Sequence, residues 1–181
     1  MKQGNVLGAM VAAITLGVVP AAMADRPISQ GQLYAGALVS QFTLDVDSVS
    51  ERPRPLGVVG RLGYFLTDQI ALEARAGTGF EKDRVGGVNT ELDRLYGGYL
   101  LGLLPLGESS AFYWVAGYSD AKVAFSGGGV SEKASQDGFS YGAGFDFFAS
   151  DGIGLSAEYI RYLDKDDYDL YAISLGMRYS F

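Results

Sequence analysis

Cysteine and histidine are both missing from these 181 residues. Without cysteine there are no disulfides, so stability has to come from packing and hydrogen bonding. Without histidine there is no imidazole base for hydrolysis of the Ser-His kind. Long apolar runs are scarce as well. After residue 24 the longest, Leu95 to Leu106, is broken by Gly97, Gly98, Gly102 and Pro105, whereas a helix that crosses a bilayer needs about 20 consecutive apolar residues. Basic residues are outnumbered, 14 Lys and Arg against 21 Asp and Glu for a net charge of −7, which disfavours a nucleic-acid partner by repulsion from phosphates.

The one sustained apolar run, Val6 to Ala22, follows Met1-Lys2 and leads into Ala22-Met23-Ala24. A charged start, an apolar centre and a small-x-small end predict a cleaved signal peptide over residues 1–24. The mature domain then spans residues 25–181 and carries 157 residues and a net charge of −8, a size suited to one domain.

The chain is nevertheless 48% hydrophobic and holds 26 glycines and 12 tyrosines. Its apolar residues are dealt out at every second position. In the last segment Tyr171, Ile173, Leu175, Met177, Tyr179 and Phe181 share one face, and Leu170, Ala172, Ser174, Gly176, Arg178 and Ser180 the other. Phe139 to Phe148 and Ile70 to Phe80 repeat the pattern. A period of two denotes a β-strand. The minor face, glycine and alanine beside isolated Glu, Arg and Asp, suits a narrow lumen better than a solvated surface, so the bulky face points to lipid.

Eight such segments occur: Gln32 to Leu44, Leu56 to Leu66, Gln69 to Phe80, Glu91 to Leu104, Ala111 to Phe125, Gly138 to Phe148, Ile153 to Leu163 and Tyr168 to Phe181. Each has at least the roughly 9 to 11 residues of a tilted membrane strand. The sheet must close, because an open edge in hydrocarbon leaves backbone groups unbonded. The expected fold is therefore all-β, an eight-stranded antiparallel up-and-down transmembrane β-barrel. Long polar connections, Asp45 to Pro55, Glu81 to Thr90 and Ser126 to Asp137, alternate with tight ones at Thr67-Asp68 and Ala149 to Gly152. That parity places the long loops, with the short Asp164 to Asp167, outside the cell. In the fifth segment a lipid-facing Trp114 would also turn Lys122 outward, at about 2–4 kcal/mol in mid-bilayer. The expectation is therefore Tyr113, Val115, Gly117, Ala121, Val123 and Phe125 outward and Trp114 inward, unless a bulge near Gly117 changes the register.

Gly63-Tyr64-Phe65-Leu66-Thr67-Asp68 running into Ile70-Ala71-Leu72-Glu73, the strand Tyr113-Trp114-Val115-Ala116-Gly117-Tyr118, the pair Glu158-Tyr159 and the final Tyr179-Ser180-Phe181 together carry a family likeness. The mature chain resembles the small outer-membrane β-barrel superfamily of outer-membrane protein A-like transmembrane domains and opacity-type proteins. The resemblance implies integral residence in the Gram-negative outer membrane, among lipid and lipopolysaccharide, and insertion by the barrel assembly machinery. The final pattern of Leu175, Met177, Tyr179 and Phe181 resembles the signal that machinery reads. The expected barrel takes up residues 25–181, so the resemblance is not expected to extend to a peptidoglycan-binding second domain.

Arg61, Glu73, Arg75, Arg94, Asp146, Glu158 and Arg178 fall on the expected lumen face. Buried charges without partners are expensive, so they are expected to form a paired network that fills the bore; an ion path is the competing use. Glu73 and Glu158 as a glycosidic acid-base pair would need a fixed separation, and neighbouring arginines would keep both ionised. The run Asp164 to Asp169 lacks the glycine and final glutamate of an EF-hand and reads as a solvated hairpin turn. Gly127-Gly128-Gly129 lacks the lysine of a phosphate loop and reads as linker. Tyr64, Phe80, Phe125, Phe139, Tyr171, Tyr179 and Phe181 are expected to be interfacial girdles.

The functional expectation is a non-enzymatic protein that uses no cofactor or metal, with an envelope-structural or surface-interaction role. It would be a monomer offering its loops to an extracellular partner. A narrow channel for ions or small solutes is the alternative, and a lipid-modifying enzyme, disfavoured by the missing histidine, comes third.

Overall fold

The computed structural model describes residues 28–46, 53–85, 88–127, 130–149, 152–165 and 168–181. The predicted signal peptide lies outside them. Among the described residues regular structure is entirely strand: β1 Leu33–Val46, β2 Leu56–Thr67, β3 Ile70–Glu81, β4 Asp83–Val85, β5 Val88–Pro105, β6 Ser110–Gly127, β7 Val130–Phe148, β8 Ile153–Lys165 and β9 Tyr168–Ser180. Each strand pairs antiparallel with its neighbours. β1 joins β9 from Tyr34↔Ser180 to Val46↔Tyr168, and β3 joins β5 from Ile70↔Gly102 to Gly77↔Leu95. The sheet is closed. Because β4 only continues β3 past Lys82, the wall has eight strands, and the protein is an up-and-down transmembrane β-barrel.

Alternation decides which residues meet lipid. On β2, Val59, Arg61, Gly63 and Phe65 are buried while Leu62, Tyr64 and Leu66 are exposed; on β9, Ser174 and Arg178 are buried between Ile173, Leu175 and Met177. Leu175 is 65% exposed, beside the exposed Ile173 and Met177 on the same face, and it is the contiguity of such residues that marks a surface facing an apolar solvent. The exposed large side chains from Leu33 to Met177 belong to all eight walls, which is the outward band expected of a membrane barrel.

Two expectations need correction. The segments Glu81 to Thr90 and Ser126 to Asp137 are not long loops but hairpins, laddered from Asp83↔Thr90 to Val85↔Val88 and out to Gly127↔Val130. Lys133 to Asp137 are all exposed, so side chains of the extension show no apolar alternation although the backbone ladder continues. β5 and β6 reach 18 residues and β7 reaches 19. Subtracting about 10 residues for the bilayer leaves roughly 26–30 Å of strand beyond it. The second correction concerns β6, where Tyr113 is fully buried and Trp114 is 46% exposed. Tyr113, Val115, Gly117, Ala121 and Val123 face inward and Trp114 faces lipid, as does Tyr118. The outward Lys122 does not stand at mid-bilayer. It sits in the hairpin extension opposite Ser135, where an outward cation costs little. Phe125 shares the inward register and packs on the core rather than joining a girdle.

At the opposite, turn end the connections are tight. Thr67 Oγ1 accepts from the N–H groups of Gln69 at 3.2 Å and Ile70 at 3.0 Å, a side-chain turn that reverses β2 into β3. Gly107 at φ 92° and Gly152 at φ 77° supply the left-handed residues of the other two turns, a conformation that side chains resist.

Candidate functional site: the charged lumen and the hairpin rim

Four of the inward-facing strands contribute charge in pairs or singly: Arg61 from β2, Glu73 and Arg75 from β3, Asp146 from β7 and Glu158 from β8; β9 adds Arg178. All six side chains are 0% exposed where they form ion pairs. Nearest the turn end, Arg178 Nη1 stands 2.9 Å from Asp146 Oδ2. The contact is an ion pair outside hydrogen-bonding geometry. The guanidinium also lies over the rings of Phe148 at 4.7 Å, Tyr34 at 5.0 Å and Phe65 at 5.6 Å, so ring faces supply attraction that hydrogen bonds do not. Arg61 donates to Ser156, which donates to Asp146 Oδ1 at 2.5 Å, and Arg61 lies 3.9 Å from the same carboxylate.

One layer towards the hairpin end, Arg75 grips Glu158 with both terminal nitrogens at 2.6 and 2.8 Å and Glu73 with Nε at 2.5 Å. This fork geometry is the strong form of the pair. Tyr34 donates to Glu73 at 2.5 Å and Tyr113 to Glu158 at 2.9 Å. Above them Tyr99, Ser119 and Ser140 chain together at 2.6 Å per link, and Ser140 Oγ donates to the Tyr162 carbonyl at 2.7 Å. Glycines make room for the rings. A Cβ on Gly144 would stand 2.5 Å from the Tyr113 hydroxyl and 2.7 Å from the Ala157 carbonyl.

Arg94, expected among these residues, is not in the lumen. Its side chain is 46% exposed and lies 3.7 Å from Asp120 on the outer surface. The β5–β6 ladder slips between Leu92 and Arg94, and a bulge at Asp93 reverses the facing of everything before it relative to Leu95. With Arg94 outside, the lumen network among the described residues holds three cations and three anions. Tyr34, Tyr113, Ser156 and Tyr99 were not anticipated as lumen partners. Their signal was present for Tyr34, which shares the inward period of Gly36, Leu38 and Ser40, while Tyr113 was hidden by the misassigned register. Among the assembly-pattern residues, Leu175 and Met177 are exposed, and the half-buried Tyr179 and Phe181 rings lie 5.7 Å apart.

Residues 9–181 match the family model of the outer membrane protein beta-barrel domain. The chain belongs to this family.

Solved barrels share the fold of this outer-membrane protein at low identity. The attachment invasion locus protein Ail of Yersinia pestis aligns at TM-score 0.65 and 19% identity over 84% of this chain and 99% of that one. Neisserial surface protein A gives TM-score 0.69 and 15% identity over 82% and 97%. The N-terminal barrel of Pseudomonas aeruginosa OprF gives 0.60 and 16% over 84% and 100%. Comparison with curated proteins finds no match.

The hairpin rim of this outer-membrane barrel is the other concentration of charge. Asp45, Asp169 and Asp164 stand in direct register across β1, β9 and β8. Arg161 bridges two of them, 3.3 Å from Asp164 and 3.6 Å from Asp169, and Tyr141 donates to Asp164 at 2.8 Å. Lys133 crosses to Asp93 at 3.0 Å and Tyr118 donates to Asp137 at 2.5 Å. Asp166 and Asp167 of the acidic run lie outside the described residues. Glu73 and Glu158, weighed as an acid-base pair, are both buried and bound by one guanidinium. That arrangement leaves neither carboxylate facing a space where substrate would sit.

Proposed function

We propose that this protein is a non-enzymatic integral component of the Gram-negative outer membrane with a sealed bore, anchoring its protruding hairpins at the cell surface. The supporting observation is the lumen itself: three arginines and three carboxylates, all buried, tie β2 and β3 to β7, β8 and β9 across the axis. An eight-stranded barrel is just wide enough for side chains to fill, and a mutually neutralised network offers a passing ion no unpaired site. On this reading the leader 1–24 directs export, the turn end faces the periplasm, and Leu175, Met177, Tyr179 and Phe181 engage the assembly machinery. Lipopolysaccharide surrounds the outer half of a monomer, and the β4–β5 and β6–β7 hairpins meet any extracellular partner.

The rim chemistry bears on which partner. Ail of Yersinia pestis has been solved in complex with the heparin analogue sucrose octasulfate. Here the row Asp45, Asp169 and Asp164 and a net charge of −7 favour uncharged or cationic surfaces over sulfated ones. Planar-bilayer recording of the refolded protein tests the sealed bore. The expected trace has no discrete steps, and stepwise ion current would establish the channel in its place.

A further inference from the structure

The wall of the barrel is incomplete at its hairpin end. The β7–β8 ladder begins at Tyr141↔Arg161 and runs to Phe148↔Gly154. β7 extends on to Val130 while paired to β6, and β8 extends on to Lys165 while paired to β9. Residues 130–140 of β7 thus have no β8 partner, and the two halves of the wall part. The Ser140 bond to the Tyr162 carbonyl and the Tyr141 bond to Asp164 strap the base of the split.

Inside the split is a cavity of about 260 Å³ lined from both halves, by Ala121, Val123 and Ala134 on one side and Leu44, Leu163, Leu170 and the ring of Tyr168 on the other. A slip in the β8–β9 ladder between Arg161 and Leu163 lets Tyr162 and Leu163 both turn inward. Tyr162 packs 5.9 Å from Phe42 to close the floor above the charged layers, and Leu163 is left to line the cavity. The lining is mostly apolar; its polar side chains are Gln136, which is exposed, and Tyr168, whose hydroxyl is buried without a hydrogen-bond partner. A lone buried donor in an apolar chamber is costly unless something accepts from it. At the base of the split, where β7 last pairs with β8 at Tyr141, the outward Phe139 and Tyr141 stack at 6.1 Å, aromatic residues of the kind that mark the membrane interface. Carboxylates of Asp45, Asp169 and Asp164 stand along the β1–β9–β8 side.

We propose that this cavity binds the chain of an uncharged single-chain amphiphile, which enters through the β7–β8 split and accepts a hydrogen bond from Tyr168 at its head. At about 30 Å³ per methylene, the share of one water in the liquid, the volume suits roughly eight to ten carbons. The acidic rim sets the head chemistry: Asp164 and Asp169 share the single guanidinium of Arg161, so two carboxylates face one cation and an anionic head would still meet like charge.

The test uses the full barrel in phospholipid nanodiscs with methyl-labelled Ala, Leu and Val, titrated with 1-decanol, decane and decanoate. Decanol is expected to shift the methyls of Leu44, Ala121, Val123, Ala134, Leu163 and Leu170 saturably, while lipid-facing Leu62 and Leu100 change only in proportion to added alcohol. Tyr168→Phe should weaken decanol about two- to ten-fold and leave decane unchanged. Ala134→Trp, which fills the cavity, should abolish saturation. Unboiled gel mobility confirms folding of each variant, and Tyr168→Phe carries the test if Ala134→Trp does not fold. Cavity methyls that follow the lipid-facing ones without saturating would overturn the proposal. So would saturation that persists in Ala134→Trp, or decanoate binding as tightly as decanol.

Discussion

Replacing Arg75 with methionine should be the most damaging single change in the lumen. Arg75 makes three of the charged contacts there, at 2.5, 2.6 and 2.8 Å, and holds both Glu73 and Glu158. Its loss leaves two carboxylates buried without their cation. Breaking one buried pair by removing a partner costs about 3–5 kcal/mol. The two losses do not simply add, because Tyr34 and Tyr113 still donate to the stranded carboxylates. The expected destabilisation is therefore about 4–5 kcal/mol, at the upper end of the single-pair range. Adding Glu73→Gln and Glu158→Gln removes the stranded charges, and the triple variant should recover to within about 1–2 kcal/mol of the parent. Guanidinium unfolding in lipid vesicles provides the assay. It is followed by emission of the single tryptophan, Trp114, which faces lipid only when folded. Arg75→Met within about 1 kcal/mol of the parent, or a triple variant no more stable than the single one, would refute the buried-network reasoning.

Gly144→Val drives a side chain into the Tyr113 ring and the Ala157 carbonyl and should cost about 1–3 kcal/mol by overpacking. Gly98→Ala, whose Cβ would have nothing within 4 Å, should stay within about 0.5 kcal/mol in the same unfolding assay. Trp114 emission should be quenched strongly by lipids spin-labelled along the acyl chain; immunity to them would return this residue to the lumen. Arg94→Ala removes a half-exposed ion pair and should change stability by less than about 1 kcal/mol, in contrast to any of the three lumen arginines.

Fold and faces were legible wherever lipid and lumen impose opposite demands on successive side chains. β2, β3 and β9 show that contrast plainly, with Leu62 against Arg61, Leu72 against Glu73 and Met177 against Arg178. Legibility failed where one demand lapses. Beyond the bilayer the β6–β7 ladder needs only backbone, so Lys133 to Asp137 read as loop although they are strand. The register of β6 was lost for a related reason. Judging Lys122 as a mid-membrane residue assumed a strand of ordinary length, and the true strand carries it past the hydrocarbon. Arg94 was misplaced by a one-residue bulge, which alternation alone does not reveal. In the lumen the charged residues announced themselves by type, whereas the tyrosines that complete their hydrogen bonds look in sequence like interfacial aromatics. The parting of β7 from β8 is a property of strand lengths and pairing, and no local pattern encodes it.

The cysteine-free chain allows the central claim, hydrocarbon outside and paired charge within, to be read one residue at a time. Single cysteines placed from Ile173 to Arg178 on β9 can be spin-labelled in the refolded barrel, and collision with lipid-soluble oxygen compared with collision with a water-soluble nickel chelate. The account predicts high oxygen and low nickel accessibility at residues 173, 175 and 177, and little of either at 174, 176 and 178. Nickel accessibility at 173, 175 and 177, or the absence of any period of two, would contradict it.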